Sequence, residues 1–275
     1  MSVWFVTGAS RGLGRAVVEA AVSAGEQVVA AVRAPDAVTG LASDQVLVVP
    51  LDVRDEAQAA AAVEAAVARF GRIDVLVNNA GYGLLGPVEE TSDEEARALF
   101  DVNFFGLLNV TRQVLPVLRR QGSGRVVNIS SVGGFTALPG SGVYAATKFA
   151  VEAVTESLAA ELAGSGVSAH VVEPGAFRTD FLDGSSIRTT AAEPLTAYEA
   201  TVHAGQPAFL AASGAQPGDP AKAARAILAL AATDEPPLRL QLGADSVRRV
   251  EAKLELVGRE LDTWRELSLS TAYDD

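Results

Sequence analysis

The sequence predicts a doubly wound α/β fold, a parallel sheet of about seven strands with helices on both faces. Three observations predict it. Short apolar runs alternate with longer helical patterns from residue 3 to residue 242, an order that sets helices between parallel strands. The first apolar run, Val3 to Val6, ends in a glycine-rich turn that leads straight into a helical stretch. Of the 275 residues 49% are hydrophobic and 25 are glycine, enough for one large core with close helix-on-sheet packing. No repeat or linker interrupts the alternation, so residues 1–275 read as one domain.

After Val3 to Val6 comes the loop Gly8, Ala9, Ser10, Arg11, Gly12, Leu13, Gly14, then a helical stretch to about Ala24 and a stop at Gly25. Glycines let a backbone approach a pyrophosphate, and the helix N-terminus offers free N–H groups and the positive end of its dipole. The second strand runs Gln27 to Arg33. A fold that binds NAD usually carries an acid at its end for the ribose 2′-hydroxyl. Here the position holds Val32, then Arg33. With Arg11 in the glycine loop, two cations and no carboxylate suit a 2′-phosphate, so NADP(H) is the expected cofactor; the alternative for Arg33 is a solvated loop side chain.

The third strand, Gln45 to Pro50, is followed by Leu51, Asp52 and Val53, with Asp52 a candidate N-cap for the Ala-rich helix over 55–70. Ile73 to Val77 is the fourth strand and runs into Asn78-Asn79-Ala80-Gly81. Ser92 to Arg120 reads as one long helix opened by a Ser92/Glu95 capping box. Asn103 sits in it between apolar neighbours and needs a partner. Pro116 should bend or shorten it. Arg125 to Ser131 is the fifth strand. Tyr144 to Leu162 is a helix with small residues on one side, Val167 to Glu173 the sixth strand, and Pro174-Gly175 its end. Residues 181–216 show no clean period, as expected of a lid or a pair of short helices. Asp219 caps a helix over 220–232, Leu238 to Leu242 is a short last strand, and residues 244–267 form an amphipathic helix. The tail, Tyr273 to Asp275, is expected to fray.

The chemistry concentrates in residues 131–148. Tyr144 and Lys148 are four apart and share a helix face. A phenol titrates near 10, too high for proton transfer at neutral pH, and a nearby ammonium favours the phenolate. Ser131, thirteen residues before Tyr144 and at a strand end, can hold a substrate oxygen; Ser130 competes for that role and the spacing favours Ser131. The set suits proton exchange with a carbonyl or alcohol oxygen.

Composition narrows the rest. A formal charge of −12 argues against nucleic acid and anionic membrane surfaces as partners. With no Cys and two His, neither thiolate chemistry nor a Cys- or His-rich metal site is expected. No apolar stretch reaches membrane-span length and the opening residues lack a signal-peptide pattern, so a cytoplasmic protein is expected.

The motifs together resemble the short-chain dehydrogenase/reductases: the Thr-Gly-x-x-x-Gly-x-Gly loop at 7–14, Asn78-Asn79-Ala80-Gly81, and Ser131, Tyr144 and Lys148 at the family spacing. Ser131-Val-Gly-Gly and Val-Tyr-x-x-x-Lys-Phe-Ala look most like its 17β-hydroxysteroid-dehydrogenase-like branch. The resemblance implies a Rossmann-type fold and an NADP(H)-dependent oxidoreductase interconverting a carbonyl and a secondary alcohol, with a hydrophobic substrate by branch analogy. Phe135, Leu138, Val143, Phe177 and Phe181 are the apolar residues expected near its pocket. It implies Tyr144 as the proton-transfer group, Ser131 as its partner, Lys148 bonding the nicotinamide ribose, and Asn103 in a proton relay, against a satisfied core Asn. For the cofactor it implies Gly8, Ser10, Arg11, Gly12, Leu13 and Gly14 at the phosphates, Arg33 at the ribose, and Asp52 and Val53 at the adenine. Asn79, Ala80 and Gly81 line the ribose side, and Pro174, Gly175, Phe177 and Thr179 lie at the nicotinamide. Residues 176–216 become the substrate loop, and the helices over 92–120 and 144–162 the interface of a homodimer or homotetramer, against simple packing on the sheet. A non-catalytic NADPH-binding regulator is the main alternative function. A lyase or epimerase is less compatible with the short region after residue 180.

Overall fold

The computed structural model describes residues 1–38 and 40–273; Asp274 and Asp275 of the expected frayed tail lie outside them. Seven strands form one sheet: β1 (Val3–Thr7), β2 (Gln27–Val32), β3 (Val46–Pro50), β4 (Val75–Asn78), β6 (Gly124–Ile129), β7 (Val167–Pro174) and β9 (Arg239–Leu242). Their order is β3-β2-β1-β4-β6-β7-β9, and every pairing is parallel. All five residues of β1 are buried, because helices cover both faces. That is why the strands read as unbroken apolar runs.

The helices are α1 (Gly12–Ser23), α2 (Glu56–Phe70), α3 (Asp93–Phe100), α4 (Gly106–Gln121), α5 (Gly142–Glu161), α6 (Gln206–Ala211), α7 (Pro220–Ala232) and α8 (Ala244–Leu269). On one face Val17, Val18 and Ala21 of α1 pack with Ile227 of α7 over Val6, Val28 and Val77. On the other Val63 of α2 and Val110, Val114 and Leu118 of α4 pack over Phe5, Leu76 and Val126. Caps fix several starts. Asp55 accepts from the N–H groups of Ala57 and Gln58, Ser92 and Glu95 form the expected capping box, and Asp219 caps α7. Asp52 is therefore not the cap of α2.

The expected long helix over 92–120 is divided. A π turn, Asp101–Phe105, separates α3 from α4, and it swings Asn103 inward until it is 1% exposed. Pro116 neither shortens nor ends α4, which runs on to Gln121. Two strands of three residues each, β5 (Gly83–Leu85) and β8 (Ile187–Thr189), form a separate parallel pair that is too short to show a period in the sequence. They tie the region after β4 to residues 176–216, which are ordered into 3₁₀ turns, β8 and α6. None of the helices among the described residues is long and apolar enough to cross a membrane.

Candidate active site

From β1 the chain builds outward through β2 and β3, then returns to place β4 on the other side of β1. A crevice opens at such a reversal, beyond the strand ends. Here it is a cavity of about 390 Å³ lined from three directions. The β1–α1 loop contributes Gly8, Ser10, Arg11, Gly12 and Leu13; the ends of β2 and β3 contribute Val32, Arg33, Asp52, Val53 and Arg54; β4 and its loop contribute Asn79, Ala80, Gly81 and Tyr82. Ser130, Ser131, Tyr144, Lys148, Pro174, Gly175 and Thr179 complete the wall.

The glycine loop fits a phosphate group. Gly8 has φ +64°, a conformation that favours glycine. Arg11 is the extended N-cap of α1 and no side chain bonds the first-turn N–H groups, which leaves those donors at the cavity wall. Gly14 lies behind the wall: a Cβ there would overlap Asn79 Nδ2 and Gly8 O, so only glycine lets α1 start so close to the loop. The Asn79 amide locks the arrangement by donating to the carbonyls of Thr7 (3.0 Å) and Gly8 (3.2 Å).

Ser131 leaves the end of β6 in extended conformation, and its Oγ accepts from Gly133 N–H at 3.0 Å. Tyr144 lies in the first turn of α5, which begins at Gly142, two residues earlier than the sequence predicts. Its ring and the Ser131 hydroxyl flank Gly133, where a Cβ would come 3.5 Å from Tyr144 Cε1 and 3.3 Å from Ser131 Oγ, so Ser131 is the serine beside the phenol. Ser130 is buried behind, beside the Lys148 carbonyl and Glu152. Lys148 Nζ donates to Ile129 O at 3.0 Å. Asn103 is off the cavity and satisfied: Nδ2 donates to Tyr82 O (2.9 Å) and Thr147 Oγ1 (3.1 Å), and Oδ1 accepts from Tyr82 N–H (3.0 Å). It adjoins Lys148 across Gly81, where a Cβ would come 3.0 Å from Asn103 Oδ1 and 3.7 Å from Lys148 Nζ.

Burial dominates the electrostatics. It pushes the Tyr144 phenol up to about 12, with the Ser131 hydrogen bond pulling the other way. It pushes Lys148 down to about 8, against the attraction of Glu152. The expected lowering of the phenol by its lysine neighbour is therefore overturned here. Loss of solvent around the phenolate is the largest cause of its shift, and Lys148 is not among the causes.

Several other expectations change. Phe177 does not line the cavity: it bridges to Gly218 and packs on the core beside Gly243. Of the five apolar residues expected at the pocket, only Phe181 lines it, its ring centroid 6.0 Å from that of Tyr144. Arg11 is engaged with the loop, donating to Ser185 Oγ (2.6 Å) and Ser185 O (2.7 Å). Sequence reading missed Arg54, whose Nη2 donates to Asp52 Oδ2 at 2.6 Å and holds that carboxyl below its usual range. It also missed the charges behind Lys148. Glu152, one turn along α5, is buried and pushed up to about 7 by burial, and it meets Arg239 at 3.0 Å. Glu173 is wholly buried beside them and is likewise raised by burial. The i, i+4 spacing of Lys148 and Glu152 was the available signal.

The short chain dehydrogenase family model matches residues 2–189. Oxidoreductase BOA17 of Botryotinia fuckeliana is 39% identical over 274 residues, covering 98% of this chain and 99% of that protein. The crystal structure of a short-chain dehydrogenase from Streptomyces avermitilis superposes with a TM-score of 0.91 at 42% identity, covering 99% of this chain and 100% of that one. A short chain dehydrogenase/reductase from Burkholderia phymatum in complex with NAD gives a TM-score of 0.83 at 27% identity, covering 94% of this chain and 95% of that one. With its parallel sheet, its glycine loop and Ser131, Tyr144 and Lys148 on one cavity wall, this chain belongs to the short-chain dehydrogenase family of oxidoreductases, which bind a nicotinamide coenzyme and act on CH–OH and C=O groups.

Proposed function

We propose that the protein is an NADP(H)-dependent reductase or dehydrogenase that interconverts a carbonyl and a secondary alcohol on a hydrophobic substrate. The observation that carries the proposal is that Ser131, Tyr144 and Lys148 line the same cavity as the first turn of α1. When bound, the nicotinamide coenzyme supplies or accepts the hydride. The chain's own groups handle the oxygen. Tyr144 gives its proton to the carbonyl oxygen in reduction and takes it back in oxidation. Ser131 donates to that oxygen and stabilises its charge as it develops. Lys148, held by Ile129 O on the same cavity wall as Tyr144, meets the ribose. Asn103 acts as a positioning residue, joining the Gly81–Tyr82 backbone to Thr147 of α5.

NADP(H) is favoured over NAD by the end of β2, where buried Val32 is followed by exposed Arg33 and no carboxylate takes the ribose position. Arg54 adds a second cation on the same wall, and Asp52 already has it as a partner. A hydrophobic substrate is supported by Phe181 against Tyr144, and by Val88 and Val202, which close on the turn at Gly140–Gly142 just ahead of Tyr144. The test is oxidation of NADPH, followed at 340 nm, with a panel of hydrophobic ketones and aldehydes and with NADH in parallel. Turnover with NADPH at least tenfold more efficient than with NADH is expected. An equal or higher efficiency with NADH refutes the coenzyme assignment, and turnover confined to charged substrates refutes the hydrophobic one.

A further inference from the structure

The last helix is longer than its seat on the domain. Ser246 and Val250 of α8 are buried, and Arg249 donates to Thr136 O at 2.6 Å. From Glu251 to Leu269 only Lys253 and Gly258 are less than exposed. That is an overhang of roughly 28 Å at the helical rise.

The overhang is not polar. Leu254, Val257, Leu261 and Trp264 are 57%, 45%, 56% and 60% exposed. With Val247 and Val250 they alternate in steps of three and four, a 3.5-residue repeat. That narrow seam belongs to a helix pairing with another helix; one lying on a domain shows a broader face.

We propose that the overhang of α8 pairs with the same segment of a second copy, antiparallel, around a two-fold axis next to Gly258. The orientation follows from the seat. Val250 of the stripe is buried against the domain, so the partner helix meets the stripe only beyond residue 250. In a parallel pair the second domain would occupy the space of the first; antiparallel pairing sends it to the far end. The register that uses only the overhang sets Leu254 opposite Trp264 of the second copy and Val257 opposite Leu261, each twice by symmetry. Gly258 then faces its own copy, and the missing side chain lets the helices approach. Glu251 falls opposite Arg265 of the second copy on the flank, also twice, against one contact of Glu260 with itself. The charges favour the pairing on balance. The inference is independent of the reaction proposed above.

The chain contains no Cys, so single-cysteine variants of the full-length protein give clean cross-linking. Under mild oxidation Gly258→Cys should form a disulfide-linked dimer. Leu254→Cys alone should not, while Leu254→Cys combined with Trp264→Cys should. Leu261→Glu, 56% exposed in the single chain, should weaken pairing through α8 by more than ~30-fold and suppress the Gly258→Cys cross-link, with the circular dichroism spectrum and turnover unchanged. Arg265→Glu should weaken association, and adding Glu251→Arg should restore it. Three results would overturn the proposal: Gly258→Cys that stays monomeric, cross-linking indifferent to Leu261→Glu, or self-cross-linking of Leu254→Cys. Capture of the overhang by an unrelated protein or by lipid, with the chain alone monomeric, would overturn it too.

Discussion

Replacing Gly14 with alanine separates what the glycine loop does for stability from what it does for coenzyme. The added Cβ would overlap Gly8 O and Asn79 Nδ2 and stand 3.0 Å from the Gly8 carbonyl carbon, where carbon atoms prefer about 3.5–4.0 Å. Neither neighbour yields easily. The Gly8 oxygen is backbone, and Asn79 Nδ2 is committed to Thr7 O and Gly8 O. Relief must come from α1 moving away from the loop by at least half an ångström. Overpacking of this kind costs about 1–3 kcal/mol, and alanine returns up to about 1 kcal/mol in helix propensity. The net loss of stability is about 0–2 kcal/mol, and the protein stays folded. The phosphate donors, however, lose their alignment, and a displacement of this order costs up to about 100-fold in a positioned interaction. Titration of NADPH by calorimetry should show affinity for Gly14→Ala reduced at least tenfold, beside a denaturation midpoint close to wild type. Gly25→Ala is the control: it too is glycine-specific, at φ +82°, but a Cβ there meets nothing within 4 Å. It should lower stability and leave affinity intact. A Gly14→Ala protein with wild-type affinity would refute the close-approach account of this loop.

Other perturbations test the remaining parts of the site. Arg33→Ala should weaken NADPH by about 10- to 100-fold, the loss of one or two charge-assisted bonds, with NADH unchanged; equal losses for both would deny it the 2′-phosphate. Glu152→Gln tests the buried charges. A carboxyl raised to about 7 in the folded state binds protons that the unfolded chain releases near its ordinary value. Wild type should therefore lose stability relative to the variant as pH rises from about 4.5 to about 7, by up to about 3 kcal/mol, and the difference should be flat above that. Arg239 keeps Glu156 at 2.6 Å in both proteins, so a pH-independent difference would show that burial does not raise Glu152. Asn103→Ala strands the Tyr82 N–H and C=O, while the Thr147 hydroxyl keeps its bond to Tyr144 O at 2.7 Å. It should cost about 1–3 kcal/mol in denaturant melts and lower kcat more than it raises KM; unchanged stability would contradict its role as the tie between Tyr82 and α5.

Much of this was readable because it is local. The strands announce themselves because both sheet faces are covered, and Tyr144 and Lys148 because a helix turn fixes their relation. The cap at Asp219 and the capping box at Ser92 follow from the same short-range rules. What escaped depends on contacts across the chain. The π turn at Asp101–Phe105 exists because Asn103 must reach Tyr82 and Thr147, 21 and 44 residues away. Phe177 turns to the core because Gly218 leaves room for its ring. Arg11 is engaged by Ser185, 174 residues on, a pairing no spacing reveals. The sign of the Tyr144 shift was missed for a related reason. The neighbouring lysine is visible in sequence, but the burial that raises the phenol is a property of the folded cavity.

The measurement that bears most directly on the account is turnover of Tyr144→Phe beside its NADPH affinity. The substitution removes only the phenolic oxygen and keeps the ring beside Phe181. Turnover should fall by more than about 100-fold while NADPH binds within about threefold of wild type. A Tyr144→Phe protein that turns over at near wild-type rate would mean that the proton travels by another group, and that Tyr144 does not carry the reaction.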